Sequence, residues 1–335
     1  MTRFCTSILM LVLAFVAPSL KAQTIESLTS GSKASFRGLS AVNDRVIWVS
    51  GSAGTIGLSV DSGHTWKMVT VKGFEKTEFR DIEAFDETSA VIMAISEPAR
   101  ILRTSDGGET WKVVYENAQK GMFLDAMEFW NLQSGIVVGD PINGKVFIAR
   151  TFDGGFHWQE IPENLRPVAD SGEAMFASSG TNVRKINNEE AIIVTGGKSS
   201  NLLIRDRKIN IPIVQGQEST GTNSIAIKNK NTYITVGGDF LKKDSTFQNC
   251  AITKDGGASW QTPTIPPHGY RSCVEYLQGN KWITCGLNGV DLTTDDGQNW
   301  QPISTIGFHV CRKSTKGNYV FFAGGGGRIA RLKFK

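Results

Sequence analysis

Thr104-Ser105-Asp106-Gly107-Gly108-Glu109-Thr110-Trp111 is a stretch that the chain repeats. The pattern Ser/Thr-x-Asp-x-Gly-x-x-Trp returns at 59–66, 151–158, 253–260 and 293–300. A recurrence at this period decides the fold before any local reading does. Each copy suits a tight connection between two antiparallel strands. The Asp carboxylate can accept hydrogen bonds from backbone N–H groups about two residues on. The Gly two positions later supplies a positive φ, and the Trp opens the outgoing strand and covers the turn. β-rich runs precede the copies at 55–60, 100–102, 145–149, 250–252 and 290–292, and others follow at 67–71, 112–115 and 159–161. Asp61, Asp106, Asp153, Asp255 and Asp295, with Trp66, Trp111, Trp158, Trp260 and Trp300, therefore read as structural staples. A catalytic or calcium-binding role for these aspartates is the competing reading, but identical chemistry in five places marks scaffold.

The copies start at 59, 104, 151, 253 and 293, so the intervals are 45, 47, 102 and 40 residues. The long interval is two units with one copy missing, and Leu202-Leu203-Ile204-Arg205-Asp206-Arg207 is its degenerate remnant. The tail from 308 repeats the front half of a unit and ends before any copy, which brings the count to seven. Each unit reads as four short strands; in the second these are 79–85, 90–95, 100–104 and 111–115. The expected fold is all-β, a seven-bladed β-propeller of four-stranded antiparallel blades. The last unit lacks a fourth strand while 24–29 lies spare, so the N-terminal strand is expected to pair with 328–334 and close the ring. Closure removes the unpaired edges of an open stack. A six-bladed ring is the structural alternative.

The eight-residue pattern resembles the Asp-box of bacterial neuraminidase-type repeats. The longer units, such as Phe123-Leu124-Asp125-Ala126 with Gly135-Ile136-Val137-Val138-Gly139 and the copy at 151–158, are similar to the photosystem II stability/assembly factor family of propellers and to its bacterial relatives labelled oxidoreductase. That resemblance covers nearly the whole chain after its leader. It implies a propeller that binds or assembles other molecules.

The first residues look like a targeting segment. Arg3 forms a basic start, 8–17 an apolar stretch, and Ser19-Leu20-Lys21-Ala22 a cleavage site before Gln23. Ten apolar residues are too few to span a bilayer, which takes about twenty. The expected organisation is a signal peptide at 1–22 and one propeller domain at 23–335, a secreted or periplasmic monomer with no membrane span. The whole chain carries a net charge of +4, and removing Arg3 and Lys21 leaves 34 basic residues against 32 acidic. No basic stripe appears either, so nucleic acid is not expected as a partner. Cys250, Cys273, Cys285 and Cys311 remain after cleavage, either as disulfides of undetermined pairing or as buried thiols. Their spacing fits no zinc site, and His64, His157, His268 and His309 show no metal-ligand pattern.

The innermost strand of each blade lines the channel of a propeller. The starts of those strands align as Phe36-Arg37-Gly38, Phe79-Arg80-Asp81, Phe123-Leu124-Asp125, Gly172-Glu173-Ala174, Thr222-Asn223-Ser224, Tyr270-Arg271-Ser272 and Phe308-His309-Val310. Arg37, Arg80, Arg271 and His309 share one position, while Asp81 and Asp125, with Glu173 beside them, take the next. Three convergent guanidiniums would suit a carboxylate, phosphate or sulfate; ion pairs that hold the blade seams are the competing reading. Asp140, Asp239 and Tyr270 join the candidates because they sit in segments that depart from the repeat, at 139–144, 237–240 and 268–271.

Three functions follow as expectations. The first is a binding or assembly scaffold that grips a protein segment or a small anionic or carbohydrate ligand. The second is a sialidase-like glycoside hydrolase using Asp81 with Asp125, or Glu173 with Asp239, as paired carboxylates. Against it, Arg37 is followed by Gly38-Leu39 and not by the Ile-Pro of the sialidase signature. The third is an oxidoreductase, although no nicotinamide, flavin, quinone or haem motif is present and no cofactor is expected. The four glycines at 324–327 lack the Lys-Ser/Thr and the helix of a phosphate loop.

Overall fold

The computed structural model describes residues 23–188 and 190–333. The leader read at 1–22 lies outside the described residues, as does Phe334 of the expected closing strand. Seven antiparallel sheets form the blades, and among the described residues the only helical turns are two short 3-10 segments, Glu163–Leu165 and Gly325–Gly327. From the axis outward, blade 1 consists of Phe36–Ala41, Ile47–Gly51, Thr55–Ser59 and Lys67–Thr70. Blade 2 consists of Phe79–Ala84, Ala90–Ala94, Ala99–Thr104 and Lys112–Asn117. Blades 3, 4, 5, 6 and 7 begin with Leu124–Phe129, Val183–Lys185, Thr220–Ile227, Cys273–Gln278 and Val310–Lys313.

Patterning explains the layers. The second strands, Ile47–Gly51 and Ala90–Ala94, are buried at every residue. They are nearly continuous apolar runs because a blade is covered on both faces by its neighbours. Trp48, Ile56, Phe79, Ile92 and Leu102 fill one such seam, between blades 1 and 2, each worth about 1.5–3 kcal/mol of apolar burial. The outermost strands, such as Lys67–Thr70, are partly exposed.

The repeated motif closes the hairpin between third and fourth strands. In blade 1, Asp61 Oδ1 accepts the Ser59 hydroxyl and the Thr65 N–H, each at 2.9 Å, and Oδ2 accepts the Thr65 hydroxyl at 2.6 Å. The Ser59 hydroxyl in turn accepts the Gly63 N–H at 2.9 Å. Gly63 has φ +83°, a conformation that only glycine adopts without strain. The backbone bond thus reaches four residues beyond the Asp, further than the two expected. The seventh position matters too, since Thr110, His157, Ser259 and Asn299 repeat the Thr65 contact. These bonds to the ionised form hold the Asp61, Asp106 and Asp255 carboxyls down at about 2.

The N-terminal strand closes the ring. Thr24–Thr29 pairs antiparallel with Arg328–Lys333, from Thr24↔Lys333 to Thr29↔Arg328, and Arg331 bonds Glu26 at 2.8 Å. The missing copy of the motif in blade 4 is a two-residue turn, Ile204 pairing Arg207 with Arg205 at φ 55°. One expectation is corrected here. Glu173–Ala174 is not the inner strand of blade 4 but a short strand paired to Gly196–Gly197, a bridge toward blade 5. Of the two states left open for Cys250, Cys273, Cys285 and Cys311, the structure has the buried thiol at each.

Candidate functional site

The innermost strands are not regular at their starts. The register slips between Phe36 and Gly38, Phe79 and Asp81, Leu124 and Ala126, and Thr222 and Ser224. Each slip leaves one residue bulged out of the ladder: Arg37, Arg80, Asp125 and Asn223. A bulge re-aims a side chain away from simple alternation. Arg37, Arg80 and Asn223 consequently line one cavity of ≈410 Å³ at the mouth of the channel, with Phe123, Asp140, Phe176, Tyr270 and His309. The slip also corrects the alignment of blade 3, where Asp125 matches Arg37 and Arg80, and Asp81 matches Ala126.

Arg37 makes no hydrogen bond or ion pair among the described residues. Burial and the neighbouring Arg80 guanidinium both lower its pKa, against an opposing influence of Tyr270 and Glu78. Arg80 Nε reaches Glu78 at 3.3 Å, a half-exposed pair at the rim. Two guanidiniums at one mouth, Arg37 outside any ion pair, form a ready acceptor for an anion.

The opposite wall is aromatic. Phe176 stands edge-on to Phe240 at 5.9 Å, and Phe240 to Tyr270 at 6.4 Å. The Tyr270 hydroxyl donates to Asn223 Oδ1 at 2.7 Å, and Ser178 donates to the same oxygen at 3.0 Å. This fixes the ring, and burial raises the phenol pKa. Asp140 Oδ1 accepts the Met175 N–H at 2.8 Å, and burial lifts this acid to about 6. Asp125 is fully buried beside Asp140 and Arg80. Neither of its oxygens has a well-formed hydrogen bond, and burial, then Asp140, pushes its pKa well up. His309 is neutral at pH 7: burial first, then Arg37, Arg328 and Arg80, lower it to about 3.

Four candidates lie elsewhere. Arg271 is 1% exposed and turned into the seam. Its Nε donates to Asp291 at 2.6 Å, its Nη2 also reaches Asp291, and its Nη1 donates to the Tyr270 carbonyl at 2.9 Å and to Asn288 at 2.6 Å. It follows an aromatic residue as Arg37 and Arg80 do, but these contacts hold its side chain away from the cavity. Asp81 lies within the channel, accepting the Ile82 and Met127 amides at 2.9 and 2.7 Å. A Cβ at Gly180 would stand 2.3 Å from its carboxyl carbon, so glycine is required there. Glu173 is saturated by Thr195, Asn201, Lys208 and the Asp170 amide. Asp239 caps Leu241 N–H at 3.0 Å in a loop. Neither carboxylate pair expected of a hydrolase therefore converges on the mouth.

Sequence reasoning missed the aromatic wall as a wall. Phe240 lay in a segment already singled out, at 237–240, but nothing in it signalled a contact with Phe176. The opposite end of the channel holds Glu83, Glu128, Arg184, Glu275 and Arg312 around a cavity of ≈550 Å³, with Arg184 bridging Glu128 and Glu275. Among the described residues no three His, Cys, Asp or Glu side chains group as metal ligands, and no helix is long and apolar enough to cross a membrane.

No family model matches the chain, and no curated protein matches it in sequence. Solved structures do. YCF48 bound to D1 peptide is 16% identical, covering 96% of this chain and 100% of that one, with a TM-score of 0.67. YCF48 from Cyanidioschyzon merolae is 14% identical over 92% and 98%, with a TM-score of 0.65. The WD40 domain of Neurospora crassa Pan2 is 11% identical over 94% and 96%, also at 0.65. At these identities the likeness shows the fold, a seven-bladed propeller.

Proposed function

We propose that this chain is a binding propeller whose channel mouth grips a protein segment through a carboxylate. The observation that carries the reading is Arg37, a half-buried guanidinium that makes no ion pair among the described residues, beside Arg80 in a ≈410 Å³ cavity. Holding two like charges together disfavours the empty mouth, and an anion relieves that repulsion. The edge-to-face ring series of Phe176, Phe240 and Tyr270 supplies an apolar wall next to the cationic one. An apolar residue with a free carboxylate matches both. A propeller of the same fold, YCF48, has been solved with a peptide of D1 bound, so the architecture is compatible with such an occupant.

Scaffold action fits better than hydrolysis here. Asp81 and Glu173 are consumed by the fold, and Asp125, buried next to Asp140, lies on the same side as the arginines. The leader read at 1–22 would place this binding outside the cytoplasm, which the intact mass of exported protein checks.

Calorimetric titration tests the proposal with a short peptide ending in an apolar residue, as free acid and as amide. The free acid should bind, and amidation or Arg37→Ala should weaken it by about ten- to a hundred-fold, the worth of one charge-assisted hydrogen-bonded contact. Equal binding of acid and amide would refute the carboxylate reading.

A further inference from the structure

Beside the mouth, blades 7 and 1 enclose a second polar notch that a single carboxylate would not use. The glycine run at 324–327 turns between the second and third strands of blade 7. A Cβ on Gly325 would meet His309 Nε2 at 3.6 Å, Arg328 Nη2 at 3.7 Å and Ser35 Oγ at 4.0 Å. The absent side chain therefore leaves a gap with a guanidinium, an imidazole and a hydroxyl around it. Gly325 does not need its conformational freedom, since its φ lies outside the left-handed region. What glycine provides at this position is space.

The notch is electropositive. Arg328 is exposed, donates Nε to the Gly307 carbonyl at 3.2 Å, and makes no ion pair among the described residues. His309 Nε2 stands 3.2 Å from the Ser35 hydroxyl, while its Nδ1 is buried without a partner. The charged groups acting on His309 are Arg37, Arg328 and Arg80, all cationic. His309 also lines the cavity that holds Arg37 and Arg80. Two cationic loci thus share one wall.

We propose that the occupant of the mouth carries two anionic groups, one held by Arg37 and Arg80 and the other in the Gly325 notch against Arg328, Ser35 and His309. The matching chemistry is a chain end whose last residue is acidic, offering its α-carboxylate and its side-chain carboxylate a few ångströms apart. The inference rests on the reading of the mouth as a carboxylate site. Three guanidiniums offset the mutual repulsion of the two carboxylates, which a mouth with only one cation would not tolerate. Of the nearby carboxylates of the chain itself, Glu78 pairs with Arg80, Asp140 accepts the Met175 amide, and Glu218 lines the mouth.

The test uses two otherwise identical short peptides, one ending in glutamate and one in glutamine, both as free acids, titrated into the full propeller. The glutamate peptide should bind roughly ten-fold more tightly or better, the usual scale of one added charged hydrogen bond. Gly325→Ala fills the notch with one methyl at ordinary contact distance, and Arg328→Gln removes its cation. In both variants the preference should fall to near unity. Melting curves confirm that each variant is folded, and Arg328→Gln, at an exposed residue, serves if the alanine variant is not. Equal affinity of both peptides for the unaltered protein, or a preference that survives both substitutions, overturns the second subsite alone. Absence of binding by either peptide overturns the carboxylate reading and the subsite with it.

Discussion

Arg37 and Arg271 follow an aromatic residue at equivalent places in two blades, yet their removal should have opposite consequences. Arg271→Ala deletes four polar contacts and leaves Asp291, which is fully buried, with His268 at 2.8 Å as its remaining side-chain partner. Breaking a buried pair from one side costs about 3–5 kcal/mol, because the surviving charge stays in a poor solvent. Arg37→Ala deletes no hydrogen bond or ion pair among the described residues and relieves repulsion with Arg80, so its unfolding free energy should stay within about 0.5 kcal/mol of the parent or rise. Urea unfolding followed by tryptophan fluorescence measures both. For a domain of this size the Arg271 variant should also melt roughly 5–15 °C lower. The reasoning is refuted if Arg271→Ala unfolds like the parent, or if Arg37→Ala loses several kcal/mol.

Ring closure predicts that deleting residues 23–31 lowers the melting temperature and exposes the edge of Arg328–Lys333 to association; an unchanged curve and a monodisperse sample would refute it. Trp300 is 1% exposed, so Trp300→Ala should cost about 3–5 kcal/mol, whereas the partly exposed Trp111 should cost less; equal losses by chemical unfolding would contradict this. Asp140→Asn tests the raised carboxyl. The folded acid titrates near 6 against an ordinary 3.8, so the native state holds a proton that the unfolded chain has released between those values. Its contribution is therefore neutral at low pH and becomes destabilising as pH rises through that window. The asparagine variant should match the parent at pH 3 and exceed it by up to about 2–3 kcal/mol at pH 7.5; the same difference at both pH values would refute the assignment.

The architecture was legible because it depends on local chemistry repeated many times. Asp61 and its four equivalents each satisfy the same turn, and period alone then yields blade count and closure. The degenerate unit is legible at 202–207 because its strand and an Asp survive even though the Gly and Trp of the motif do not. The mouth was legible only in part. Arg37, Arg80, Tyr270, Asp140 and His309 were picked out, and the structure brings them to one cavity. Strict alternation failed at the bulges, which have no single-residue signature, so Asp125 was aligned one position late. Arg271 escapes the reading for a different reason: its neighbours in sequence resemble those of Arg37, but its partner, Asp291, comes from the third strand of its blade. Glu173 was misassigned because the insertion at 172–182 delays the inner strand of blade 4 until Val183. The Gly325 notch depends on a side chain that is missing, and a glycine run does not reveal which of its members is needed for space.

The most direct measurement is a crystal structure of the propeller soaked with a short apolar peptide bearing a free C-terminal carboxylate. The account predicts that carboxylate within hydrogen-bonding distance of both Arg37 and Arg80, with the last apolar side chain against Phe176, Phe240 and Tyr270. Peptide density at the Glu83–Arg312 end of the channel, with the arginine mouth empty, would contradict it.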